Sequence, residues 1–182
     1  GLLVRDVLRA DDAETARNVV EAAVETDTYD GFNLVVAERA SETALADVPR
    51  DDAPAAYLFE WDGDLRVRRL DPGVHVVVNV GVDGEYFEPD GAPERGVEQA
   101  ANAERVRDVL EPRTSEGVTA WRDRAIEILA DHDFGVCVHD PERRFGTRSS
   151  SVVTLFADGT AEFAFADGPP CETPFRPVES HI

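Results

Sequence analysis

The sequence predicts an α+β fold in which antiparallel sheets are covered by helical layers. Apolar residues recur with helical period in paired segments, not in alternation with strands. Strand-like runs are joined by short Asp-Gly turns, which make neighbouring strands antiparallel. The resulting order is two helices, four strands, two helices and a terminal hairpin.

Residues 1–10, "GLLVRDVLRA", read as a helix with Leu2, Leu3, Val7 and Leu8 on its buried side. No cap residue precedes it, so the natural start of the chain is expected upstream. "DDAETARNVVEAAVETD" follows as a second helix, capped by Asp11 or Asp12, with Ala13, Ala16, Val20, Ala23 and Val24 on one face. A strand is expected at 32–38 after the Asp30-Gly31 turn. Residues 40–54 read as a polar connection. "AAYLFEW" and "DLRVRRL" form a hairpin around Asp62-Gly63, and "VHVVVNV" (74–80) reads as a further strand with two apolar faces.

Residues 81–93 carry three glycines and two prolines and form the longest irregular stretch. Helices are expected near 93–110 and 117–131, the second with Val118, Trp121, Ala125, Ile128 and Leu129 at helical spacing. "FGVCVHD" reads as a short strand or an extended link. A hairpin turns around Asp158-Gly159, and the Pro-rich end is extended.

The chain has 182 residues and a net charge of −20. All 18 basic residues are arginine, although lysine is one of the commonest residues in average proteins. The 38 acids are spread along the length. Dispersed carboxylates without lysine suit a surface adapted to high salt, where screening suppresses self-repulsion. The same charge argues against nucleic acid as a partner, since phosphate binding needs clustered cations. No apolar run has the length of a membrane span and no signal peptide opens the chain. The two cysteines, Cys137 and Cys171, suit a reducing cytoplasm with free thiols, a single disulfide being the alternative. Oligomeric state is not legible.

His75, His132, His139 and His181 raise the question of a metal, with Cys137-Val138-His139 as a seed. One such pair supplies two ligands, and no second cluster has a recognisable spacing, so no metal site is assigned. His75 reads as a hydrogen-bonded strand residue. Two polar residues stand out. Asn79 ends the valine-rich strand and either satisfies backbone groups there or donates its amide to an oxyanion. Arg148, in "FGTRSSS", either pairs with a surface acid or holds an anionic group, with Gly146 giving the turn its freedom.

Three segments in order, "GFNLVVAE" (31–38), "PGVHVVVN" (72–79) and "CVHDPERRFGTRSSSVVTLFADGT" (137–160), resemble the NRDE-motif family, also called Transport and Golgi Organization two. That family is similar to the N-terminal-nucleophile hydrolases, whose fold is an αββα sandwich. The resemblance implies that residues 1–182 are the C-terminal two-thirds of one such domain, incomplete at its N-terminus. It implies hydrolysis of a small non-peptide amide, with Asn79 as oxyanion donor and Arg148 as electrostatic support. Asn33, His75, Thr147 and Ser149 would contact substrate, with no metal and no cofactor. The nucleophilic cysteine, whose own α-amine is its base, would lie upstream of Gly1, leaving this fragment inactive. The resemblance also implies an alternative: a non-catalytic protein that binds and moves haem or an acyl-CoA or other lipid, with Arg148 gripping a propionate or phosphate.

Overall fold

A computed structural model describes residues 1–38, 55–142, 144–156 and 158–178. The polar connection and His181 therefore lie outside the described residues. The chain divides into two compact units, one of residues 1–72 with 156–160, the other of residues 73–155 with 161–182.

In the first unit, α1 (Leu2–Val7) and α2 (Ala13–Thr26) precede β1 (Phe32–Ala37), β2 (Ala56–Trp61) and β3 (Leu65–Arg69). The strands pair antiparallel in the order β1-β2-β3. Asp12 is the α2 cap, its carboxylate accepting from the Thr15 N–H at 2.6 Å. Alternation along β1 turns Phe32, Leu34 and Val36 toward the helices and leaves Asn33, Val35 and Ala37 exposed. Leu3, Val7, Ala13, Ala16, Val20, Tyr57 and Phe59 form the core. The expected buried side of α1 is only half right. Leu2 and Leu8 are 68% and 75% exposed, because a six-residue helix presents little more than one face, and Leu3 and Val7 occupy it.

The second unit opens with a small antiparallel meander of β4 (Val77–Val78), β5 (Gly81–Val82) and β6 (Glu85–Tyr86). It corrects two expectations. The valine-rich strand is two residues long, and the stretch after it is partly ordered into strands. Asp83 supplies a physical reason. Its carboxylate accepts from the Val76 N–H at 3.3 Å and meets His75 Nδ1 at 2.5 Å, tying the start of "HVVVNV" to a side chain instead of a ladder.

Next come α3 (Pro93–Leu110) and α4 (Val118–Ala130). Proline at the first position of α3 suits a site with no N–H to satisfy. The open carbonyls at the end of α3 are met from α4. Trp121 Nε1 donates to Leu110 O at 2.6 Å, and the Arg124 guanidinium donates to Val109 O and to Glu111 O. Arg124 is buried and also grips Glu116. Val118, expected on the apolar face of α4, is half exposed at the first turn.

A 3-10 turn at His132–Phe134 leads into β7 (His139–Asp140) and β8 (Phe145–Gly146), a two-stranded pair. The expected hairpin is β9 (Ser150–Leu155) and β10 (Ala161–Ala166), extended by β11 (Arg176–Pro177) in the order β11-β10-β9. Among the described residues the fold is mixed α+β, with four helices and small antiparallel sheets. No described helix is long and apolar enough to cross a membrane.

Candidate functional sites

Two features of the second unit have the makings of a site. The first is a pocket of about 380 Å³. Val76, Val77 and Val78 form one wall, Ala103, Val106 and Leu110 of α3 a second, and Ala125, Ile128 and Leu129 of α4 a third. Phe134, Gly135 and Val136 complete the lining. Helical spacing explains the α3 wall: positions 99, 103, 106 and 110 fall on one face.

Few polar groups line this pocket. His75 is engaged with Asp83, and the Asn102 carbonyl accepts from Arg105 at 2.6 Å. Gln99 differs. Its Oε1 is buried and has no hydrogen-bond partner among the described residues. An unmet buried acceptor costs about 1–3 kcal/mol, a cost that a donor on a ligand would remove if the amide turned toward the cavity.

The second feature is a cluster of His132, Cys137, His139 and Cys171, whose ligating atoms all lie within 4.8 Å of one another. His139 Nε2 is 3.1 Å from Cys171 Sγ and 3.5 Å from Cys137 Sγ, and the two sulfurs are 3.5 Å apart. Both cysteines are free thiols, Cys137 buried and Cys171 exposed. The His132 and His139 rings stack nearly parallel at 5.0 Å. Local desolvation, then the hydrogen bond with Cys137, raises the Cys171 thiol above its ordinary value.

Local backbone chemistry explains how the four residues meet. Asp131 caps the 3-10 turn that carries His132, accepting from the Asp133 N–H at 2.8 Å. Gly135 ends that turn at φ 66°, a left-handed conformation open to glycine. Cys171 sits in a turn where Pro169 O accepts from the Glu172 and Thr173 N–H groups at 3.0 and 2.9 Å. Cys137 and His139 are held from the "FGTR" run. Thr147 Oγ1 accepts from Val138 N at 3.0 Å and donates to Val136 O at 3.1 Å, while the Thr147 N–H donates to Val138 O at 2.9 Å. Gly146 permits that approach, since a Cβ there would lie 2.7 Å from Val138 O.

With this geometry in view, the chain can be set beside known proteins. Comparisons with family models, curated proteins and solved structures found no match.

The residues singled out in the sequence divide as follows. His75 lines the pocket, and Thr147 braces the Cys-His cluster. Asn79 is exposed in the turn between β4 and β5, and Arg148 and Ser149 are exposed ahead of β9. Neither Asn79 nor Arg148 lines the pocket described above. Asn33 belongs to the first unit, on the exposed face of β1. Gln99 escaped sequence reasoning, and Cys171 entered it only as a free thiol or a disulfide partner of Cys137. Gln99 carried a usable signal, a polar residue in register with Ala103, Val106 and Leu110 on one helical face. Cys171 carried no signal for joining the histidines, because 31 residues separate it from His139.

Proposed function

We propose that the second unit binds a small, largely apolar molecule that carries one hydrogen-bond donor. The observation behind this reading is a pocket lined mainly by Val, Ala, Leu, Ile and Phe side chains, with His75, Asn102 and Gln99 as its polar residues. The buried Gln99 Oε1, without a partner among the described residues, would be met by a guest's donor if its amide turns toward the cavity. Small-molecule sites typically join an apolar lining to a few oriented polar groups. The volume lies toward the low end of their usual range of about 300–1,000 Å³. That favours a short acyl amide or a single-ring compound over a whole haem macrocycle.

The reading keeps the non-catalytic ligand handling implied by resemblance to the NRDE-motif family, membership of which is part of the proposal, but without the expected grip, since Arg148 does not line this pocket. Binding is preferred to amide hydrolysis in a hydrolase-like αββα sandwich because Asn79 and Arg148 are both exposed and outside this pocket. In the hydrolytic account they would have to converge on the reacting amide.

The test is a fluorescence titration with N-phenyl-1-naphthylamine, an apolar probe with one N–H, followed by displacement with octanamide and with haem. Saturable binding reversed by octanamide is expected. Ala103→Phe, which fills the pocket from α3, should abolish it while leaving the circular dichroism spectrum intact. A signal that never saturates, or one unchanged in Ala103→Phe, would sink the reading. Turnover of octanamide would replace the reading by a hydrolytic one whose nucleophile lies within this chain.

A further inference from the structure

We propose that His132, Cys137, His139 and Cys171 form a closed, tetrahedral zinc(II) site. The donor set is two thiolates and two imidazoles, a combination that selects zinc among the common divalent ions. The geometry fits. Bond lengths of about 2.3 Å to sulfur and about 2.0 Å to nitrogen give tetrahedral edges of roughly 3.8 Å between sulfurs and roughly 3.5 Å between sulfur and nitrogen. The corresponding separations are 3.5 Å for Cys137–Cys171, 3.5 Å for Cys137–His139 and 3.1 Å for Cys171–His139. His132 completes the group within 4.8 Å, so closure asks for a side-chain adjustment of about 1.5 Å or less.

The alternative for two neighbouring thiols is a disulfide. The sulfurs stand well beyond the bonding length of about 2.05 Å, and a disulfide would leave both imidazoles unexplained beside it. Three separate segments supply the ligands: the 3-10 turn, the β7 approach and the Pro169–Thr173 turn. All four positions come from protein, which is the pattern of a structural rather than a catalytic zinc. On binding, each cysteine S–H gives its proton to solvent and each sulfur donates an electron pair to the metal. No redox step is involved, and the inference does not depend on the ligand-binding reading.

The test uses the full chain, reduced with a phosphine and stripped of metal, titrated with Co²⁺ and then Zn²⁺ in excess Mg²⁺ to occupy surface carboxylates. One equivalent of Co²⁺ should give the intense visible bands of a tetrahedral thiolate site, and one equivalent of Zn²⁺ should bleach them. Cys171→Ser and His139→Ala should each weaken zinc binding by more than roughly 100-fold in competition with a chromophoric chelator. Should either variant fail to fold, the wild type still decides the matter: bound zinc should protect both thiols from iodoacetamide. Weak octahedral cobalt bands would mean carboxylate binding and overturn the site. So would thiols alkylated equally fast with and without zinc, or variants that keep the parent affinity.

Discussion

Thr147 brackets Cys137: one hydroxyl accepts from the N–H of the residue after it and donates to the carbonyl of the residue before it. The cysteine is thereby fixed by a side chain ten positions along the sequence. Thr147→Val keeps the shape and removes both bonds. Zinc affinity, read by chelator competition, should fall by about 10-fold or more, the usual effect of losing a group that orients a ligand. Thr147→Ser should retain most of it.

Gly146 makes a separate contribution. Because an added Cβ would press to 2.7 Å against the Val138 carbonyl, Gly146→Ala must push β7 and β8 apart. The cost should be about 1–3 kcal/mol by denaturant unfolding, in the range for overpacking. An unchanged midpoint would mean that the strand pair gives way freely.

The Arg124–Glu116 pair predicts a pH dependence. The Arg124 guanidinium, bonding to Glu116, holds that carboxyl below its ordinary value. A depressed carboxylate adds stability above its unfolded pKa and loses it as pH falls through the folded one. Glu116→Gln should therefore be less stable than the parent at neutral pH. The gap should narrow in acid, below the ordinary glutamate range, as thermal unfolding across a pH series would reveal. A gap independent of pH would mean that the charge of Glu116 contributes nothing.

Net charge sets the fourth expectation. With −20 spread along the chain, self-repulsion opposes compaction at low ionic strength. The screening length falls from about 10 Å at 0.1 M salt to about 3 Å at 1 M. The thermal midpoint should rise steadily with KCl over that range. A flat or falling midpoint would remove salt adaptation as the explanation for the missing lysines.

Local chemistry made much of the fold legible. The period of α2, the Asp62-Gly63 and Asp158-Gly159 turns, and the strands β1, β2, β3, β9 and β10 all follow from neighbours in sequence. The valine-rich strand did not, because Asp83 takes up Val76 and His75 by a side-chain route that no strand pattern encodes. The "FGTR" run was singled out in the sequence for Arg148. Its glycine and threonine, however, act on residues 136–138 and not through Arg148. The Cys-His cluster was half visible, since Cys137 and His139 share a motif while their partner Cys171 arrives through tertiary packing.

Phe134, Gly135 and Val136 line the pocket, and the next residue along the chain is Cys137. The pocket lining and the sulfur thus share one continuous backbone, clamped at Val136 and Val138 by a single hydroxyl. Loosening that one clamp would therefore free both neighbourhoods at once, which makes Thr147 the residue they have in common.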